Sequence, residues 1–249
     1  KGPKDFVSEV DRAAEAAIVE TLHAAYPDHA ILAEEGTARD KNADAENVWI
    51  IDPLDGTTNF LHGFPVYAVS IACEVRGRLE VATVYDVLRQ ELFTATRGVG
   101  AQLDNRKIRV SKRRGLEGAL LATGFPFRAD VDLDNYLQML RVVMPQVAGV
   151  RRPGSAALDL AYVAAGRVDG FWELGLKPWD TAAGALLITE AGGHISRING
   201  EPYEHGDDVC AGTPRVHAAL LAAFAPLVSA PTAGVQSGTT LHARGKQGK

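Results

Sequence analysis

A chain of 249 residues with 46% hydrophobic content can bury one large core or two small lobes, and a net charge of −5 argues against nonspecific nucleic-acid binding over its whole surface. No run reaches the roughly 18 apolar residues that a bilayer-spanning helix needs, so an integral membrane protein is not expected. Cys73 and Cys210 supply neither a disulfide framework nor a paired-thiol metal site, which makes a reducing cytoplasm the simplest home; the sequence starts at Lys1 without a methionine, which leaves room for a removed upstream targeting segment.

Taken in order, helices alternate with strands, and there is no internal repeat. Residues 8 to 25 place Val10, Ala14, Ala17, Ile18, Leu22 and Ala25 near helical spacing, and Tyr26-Pro27-Asp28 ends the pattern. Residues 30 to 33 read as a short strand with Glu34 and Glu35 at its end. Residues 48 to 51 read as a second, buried strand. Residues 66 to 103 give three strand-like runs broken at Arg76-Gly77-Arg78 and near Leu88-Arg89-Gln90, the pattern of an antiparallel meander. Helices are predicted over 134 to 144, over 155 to 165 with Gly166 as stop, and over 181 to 191 with Gly192-Gly193 as stop; a strand is predicted over 171 to 174. A last helix covers 214 to 228 with proline at its first position. Residues 229 to 249, rich in Gly, Ser, Thr, Ala and Lys, are expected to form a disordered tail behind a single catalytic domain over 1 to 228. Arg106, Lys107, Arg109, Lys112, Arg113 and Arg114 form a basic cluster in a loop-like segment, read as a solvated loop or as a contact for nucleic acid or an acidic protein.

The chemistry concentrates in Trp49-Ile50-Ile51-Asp52-Pro53-Leu54-Asp55-Gly56-Thr57-Thr58-Asn59-Phe60, where an apolar strand ends in two carboxylates, a glycine and two hydroxyls. Asp52 and Asp55 stand at a strand's carboxyl end, where open α/β sheets place ligands. Two acids there repel unless a divalent cation neutralises them, and oxygen-only ligands suit Mg²⁺. Gly56 and Thr57 offer backbone N–H groups suited to a phosphate oxygen. An acidic turn and a helix cap explain the same residues without a ligand. Asp180, in Trp179-Asp180-Thr181-Ala182-Ala183-Gly184, falls where a helix N-cap is expected; it either caps or supplies another metal oxygen. The small residues after it, like Gly154-Ser155-Ala156-Ala157, allow a close approach to a neighbouring element or a ligand.

Together with Glu34-Glu35 and Glu190-Ala191-Gly192-Gly193, these segments resemble the inositol monophosphatase family over about residues 4 to 225. Asp5-Phe6-Val7-Ser8 to Asp11 is similar to the family's entry segment, and residues 91 to 100 and 154 to 170 look most like its bacterial inositol-1-monophosphatases. The resemblance implies a layered α/β/α/β/α sandwich, a homodimer, and a Li⁺-sensitive phosphatase using two or three Mg²⁺ ions on inositol monophosphate. It implies metal-ligand roles for Glu34, Asp52, Asp55, Asp180 and the Leu54 carbonyl, and water activation by Glu34 and Thr57. Substrate contacts are implied for Asp55, Gly56, Thr57, Ala156, Glu173 and Asp180, with Asp11 and Glu35 in support. Histidinol phosphate, fructose 1,6-bisphosphate and 3′-phosphoadenosine nucleotides are the alternative substrates within the superfamily. A binding role in bacterial transcription and ribosomal RNA synthesis is the alternative outside catalysis. The sequence departs from the family in beginning almost at the entry segment, without the preceding helix, and in its low-complexity end.

Overall fold

Strands whose two faces are both covered read as continuous apolar runs rather than as alternating ones, and the second strand of this chain is such a run. The computed structural model describes residues 9–36, 45–126 and 132–228. The entry segment over 5 to 8 and the tail over 229 to 249 lie outside the described residues. One sheet has seven strands in chain order: β1 (Ala30–Ala33), β2 (Asn47–Asp55), β3 (Ala68–Val75), β4 (Arg78–Asp86), β5 (Glu91–Thr96), β6 (Gly100–Leu103) and β7 (Arg106–Lys107). Only β1 and β2 pair in parallel; the rest form the expected meander, extended by two strands. The β6–β7 turn is carried by Asp104 and Asn105, both at positive φ (47° and 63°), the conformation a two-residue hairpin needs. Arg106 and Lys107, placed in a loop by the sequence reading, are therefore an edge strand.

A second sheet runs β11 (His194–Arg197), β12 (Asp207–Gly212), β10 (Gly170–Leu176), β8 (Leu120–Thr123), β9 (Gly149–Arg151). Between the sheets lie α4 (Ala156–Ala164) and α5 (Pro178–Glu190), which pack on each other and touch strands of both. Both are buried almost all round, as a helix between two sheets must be. Their crossing is tight: a Cβ on Gly184 would lie 2.4 Å from that of Leu160. Helix α1 (Glu9–Ala25) covers the outer face of the first sheet, where Ile31, Ala33 and Ile51 meet Ile18, Val19 and Leu22. Helices α3 (Leu133–Val143) and α6 (Pro214–Val228) cover the outer face of the second. The order α1, sheet, α4 and α5, sheet, α3 and α6 is the five-layer α/β/α/β/α arrangement.

Helix α1 does not bury the face that its apolar spacing predicts at its start. Val10 is 47% exposed, whereas Asp11 and Glu15 are wholly buried. The helix turns its acids inward because partners await them: the Thr57 hydroxyl lies 2.9 Å from Asp11, and the Glu35 N–H donates to Glu15 at 2.8 Å.

Candidate metal and phosphate site

Asp52 and Asp55 are three residues apart, which in a regular strand points them to opposite faces. The pairing of β2 with β3 slips between them: Asp52 stands opposite Ser70, but Asp55 stands opposite Ala68, one residue out of step. A one-residue bulge, at the point where Pro53 lacks a ladder donor, resets the alternation so that both carboxylates converge. Asp180 joins them from α5, and one oxygen of each of the three acids lies within 4.8 Å of the others.

The helix carrying Asp180 starts earlier than the sequence places it. Pro178 is its first residue and Lys177 its N-cap, so Asp180 sits in the first turn rather than at the cap. Proline's fixed φ suits that first position. Asp180 nonetheless serves the helix end, since its Oδ2 accepts from the Lys177 N–H at 2.7 Å. Capping and convergence on the acid cluster are thus done by the same carboxylate.

The electrostatics are those of a site short of positive charge. Burial raises the Asp52 carboxyl well above the usual range, and Glu34, Asp55 and Asp180 push it further the same way. Burial lifts Asp55 to about 6, although the Ser155 hydroxyl and the Ala157 N–H pull in the opposite direction. Both contacts fall on Asp55 Oδ2, at 2.6 and 2.8 Å. Clustered carboxylates raised by one another and by burial are the donor chemistry a hard divalent cation neutralises, so the residues fit the Mg²⁺ expected of them. Glu34 follows β1, with its N–H bonded to the Ile51 carbonyl at 3.1 Å, which places it beside the end of β2.

Next to the acids, Gly56 takes φ 96° and Thr57 opens the five-residue helix α2 (Thr57–Leu61). The conformation and the space both select glycine there: a Cβ would lie 2.9 Å from the Val66 carbonyl oxygen. The Thr57 hydroxyl lies 2.9 Å from Asp11 Oδ1 and 3.1 Å from the Leu54 carbonyl oxygen. Asn59 ties this turn to the segment before β3 and to the loop before α4 by donating to the Val66 and Pro153 carbonyls at 2.8 and 2.9 Å.

On the far side, Ala156 is the first residue of α4, and Glu173 rises from β10 so close to Gly124 that a Cβ there would lie 1.9 Å from its carboxylate. Asp159 lies on α4 at 2% exposure, its carboxyl raised well above the usual range by burial, then by Glu173 and Asp55. Three contributors carried no individual role from sequence: Ser155, singled out there only within the small run before α4, Glu15 and Asp159. Ser155 both caps α4, accepting from Leu158 N–H at 3.4 Å, and donates to Asp55. Glu15 anchors Glu35. Asp159 completes the acid group around α4. Asp11 and Glu15 at helical i, i+4 spacing were the available signal for the second.

Residues 1–229 match the model of the inositol monophosphatase family. The Nus factor SuhB of Pseudomonas aeruginosa is 57% identical over 231 residues, 91% of this chain and 85% of that protein. Among solved structures, the extragenic suppressor protein suhB of Bartonella henselae superposes with a TM-score of 0.86 at 47% identity, covering 90% of this chain and 86% of that one. An inositol monophosphatase from Anabaena gives 0.81 at 42% identity, covering 86% and 84%.

Proposed function

This chain belongs to the inositol monophosphatase family, and from that premise we propose that it is a Mg²⁺-dependent phosphomonoesterase acting on myo-inositol 1-phosphate and related small polyol phosphates. The observation that carries the reading is the convergence of Asp52, Asp55 and Asp180 within 4.8 Å. Magnesium held there, with Glu34 and the Leu54 carbonyl as further oxygens, would neutralise phosphoryl charge and acidify a bound water. The Thr57 hydroxyl, giving its proton to Asp11 or to the Leu54 carbonyl, keeps lone pairs free to accept from the attacking water. Glu34 is assigned as the acceptor of that water's proton. The N–H groups of Gly56 and Thr57 hold a phosphoryl oxygen, while Ala156 and Glu173 face the polyol. No protein nucleophile is required when water attacks phosphorus in line.

The test is phosphate release from myo-inositol 1-phosphate, beside histidinol phosphate, fructose 1,6-bisphosphate and 3′-phosphoadenosine 5′-phosphate, with Mg²⁺ and with chelator. A Mg²⁺-dependent preference for the inositol ester is expected; a preference for another ester keeps the mechanism and changes the substrate. In the same assay Asp55→Asn should lose several orders of magnitude in kcat. Near-normal turnover in that variant would overturn the site assignment.

A second reading has its own support, because relatives 53–57% identical carry the name Nus factor. The exposed Arg106, Lys107, Arg109, Lys112 and Arg114 on and after β7 would be the contact, whereas Arg113 is drawn toward Asp169 at 3.6 Å. Recovery of transcription components from lysate by the protein, and its loss when these five are neutralised, would support that role. No recovery would count against it.

A further inference from the structure

The segment joining β11 to β12 returns over the N-terminus of α5, where Asp180 resides. Gly206 lies so close that a Cβ would stand 2.9 Å from the Leu176 carbonyl oxygen and 3.1 Å from both Lys177 C and Pro178 N. Its φ of 82° and that contact together reserve the position for glycine. The Gly206 N–H donates to Thr181 Oγ1 at 3.2 Å, and the Tyr203 hydroxyl lies 2.7 Å from the same oxygen. Thr181 is fully buried. Tyr203 is itself propped: its ring meets His205 edge-on at 5.6 Å, and His205 Nε2 is bonded to the Glu74 carboxylate of β3. The same helix turn is fastened to the first sheet by the Ser70 hydroxyl, which donates to the Trp179 carbonyl at 3.2 Å.

Such bracing answers a mechanical need. Asp180 is repelled by Asp52 and Asp55, and within the helix its first turn is tied through the cap residue, by the Asp180 N–H to the Lys177 carbonyl at 3.1 Å and by the Thr181 hydroxyl to the same oxygen at a long 3.4 Å. Support from outside the helix adds to these ties, and at Thr181 the β11–β12 segment supplies it through the two shorter contacts to the hydroxyl.

We propose that Tyr203, acting through the Thr181 hydroxyl, is a positioning residue that holds Asp180 in the acid cluster and so sets the affinity of the metal bound there. This rests on the metal reading given above. Partners that orient a ligand typically change metal affinity 10–100-fold when removed, and Tyr203 stands one bond further out, so about tenfold is expected.

The test is Mn²⁺ binding to the full chain by electron paramagnetic resonance, which reads occupancy without turnover, together with thermal unfolding in chelator. Tyr203→Phe should weaken one class of Mn²⁺ site about tenfold. Thr181→Val, which keeps the shape and removes the oxygen, should do the same, and Thr181→Ser should restore wild-type affinity. An unchanged Mn²⁺ isotherm in Tyr203→Phe or Thr181→Val, with weakened binding in Asp180→Asn, would overturn the proposal alone, leaving the pair as packing residues. An unchanged isotherm in Asp180→Asn as well would overturn the metal role of Asp180 and the proposal with it.

Discussion

His217 shows at the scale of one side chain how far burial can move a charge. It is 8% exposed, its Nε2 lies 2.8 Å from the Ser196 hydroxyl, and the His194 ring stands edge-on at 5.8 Å. Burial first, and His194 second, push its pKa down from 6.5 to about 4. A base whose folded pKa is depressed holds its proton less well folded than unfolded. Its stabilising effect is therefore complete above pH 6.5 and is lost as the pH falls toward 4, by about 3 kcal/mol at most. Urea unfolding at pH 7, 5.5 and 4.5 should show the stability of wild type relative to His217→Gln falling across that window, the raised carboxyls of Asp52 and Asp55 acting alike in both proteins. Parallel profiles would refute the account. The seven histidines offered no motif in the sequence, because the property that matters here, enclosure against β11, is set by residues more than twenty positions away. The acids were more legible. Asp52, Asp55, Gly56 and Thr57 sit in one short segment whose chemistry can be read together, and Asp180 stood out at an expected helix start before a run of small residues. Glu15 did not, and Ser155 did so only as a member of a small run, since a serine before a helix and a glutamate within one have ordinary explanations.

At the scale of elements, legibility followed length and period. The long helices α1 and α6 declare themselves by spacing and by proline at a first turn. The small residues of α5 announced a close approach, and Gly184 against Leu160 is that approach. The second sheet was mostly invisible: β8, β9 and β11 are three or four residues long, and β8 finds its parallel partner β10 about fifty positions on. Pairing at that distance leaves no local signature. The bulge in β2 is a related case. Pro53 hints at an interrupted ladder, but only the register against β3 shows that the interruption brings Asp52 and Asp55 to one side. The start of α5 was displaced for a simple reason: an aspartate before a helix invites reading as a cap, while the proline two residues earlier was the better marker.

For the whole molecule, the acid cluster is a liability that folding alone does not relieve. Its members come from β2 and from α5, which belong to different layers, and Asp11 reaches it through Thr57 from a third. Bringing these elements together brings together their charges, and Asp52 has the raised carboxyl of a group that folding has confined among like charges. A cation bound only by the folded chain reverses the balance. At a concentration of Mg²⁺ one hundred times its dissociation constant, linkage adds about 2.7 kcal/mol, or roughly 5–10 °C in Tm for a chain of this size. Asp52→Asn separates the two effects. Its amide oxygen can still accept from the Leu54 N–H, which now meets Asp52 Oδ1 at 2.9 Å, while the buried charge is gone. In chelator the variant should unfold at a higher temperature than wild type; in saturating Mg²⁺ wild type should rise past it and the variant should barely move. Calorimetric scans of both proteins in both conditions give four values of Tm whose order must invert. If wild type is the more stable protein in chelator as well, the charges are compensated within the fold, and the cluster has no need of a metal.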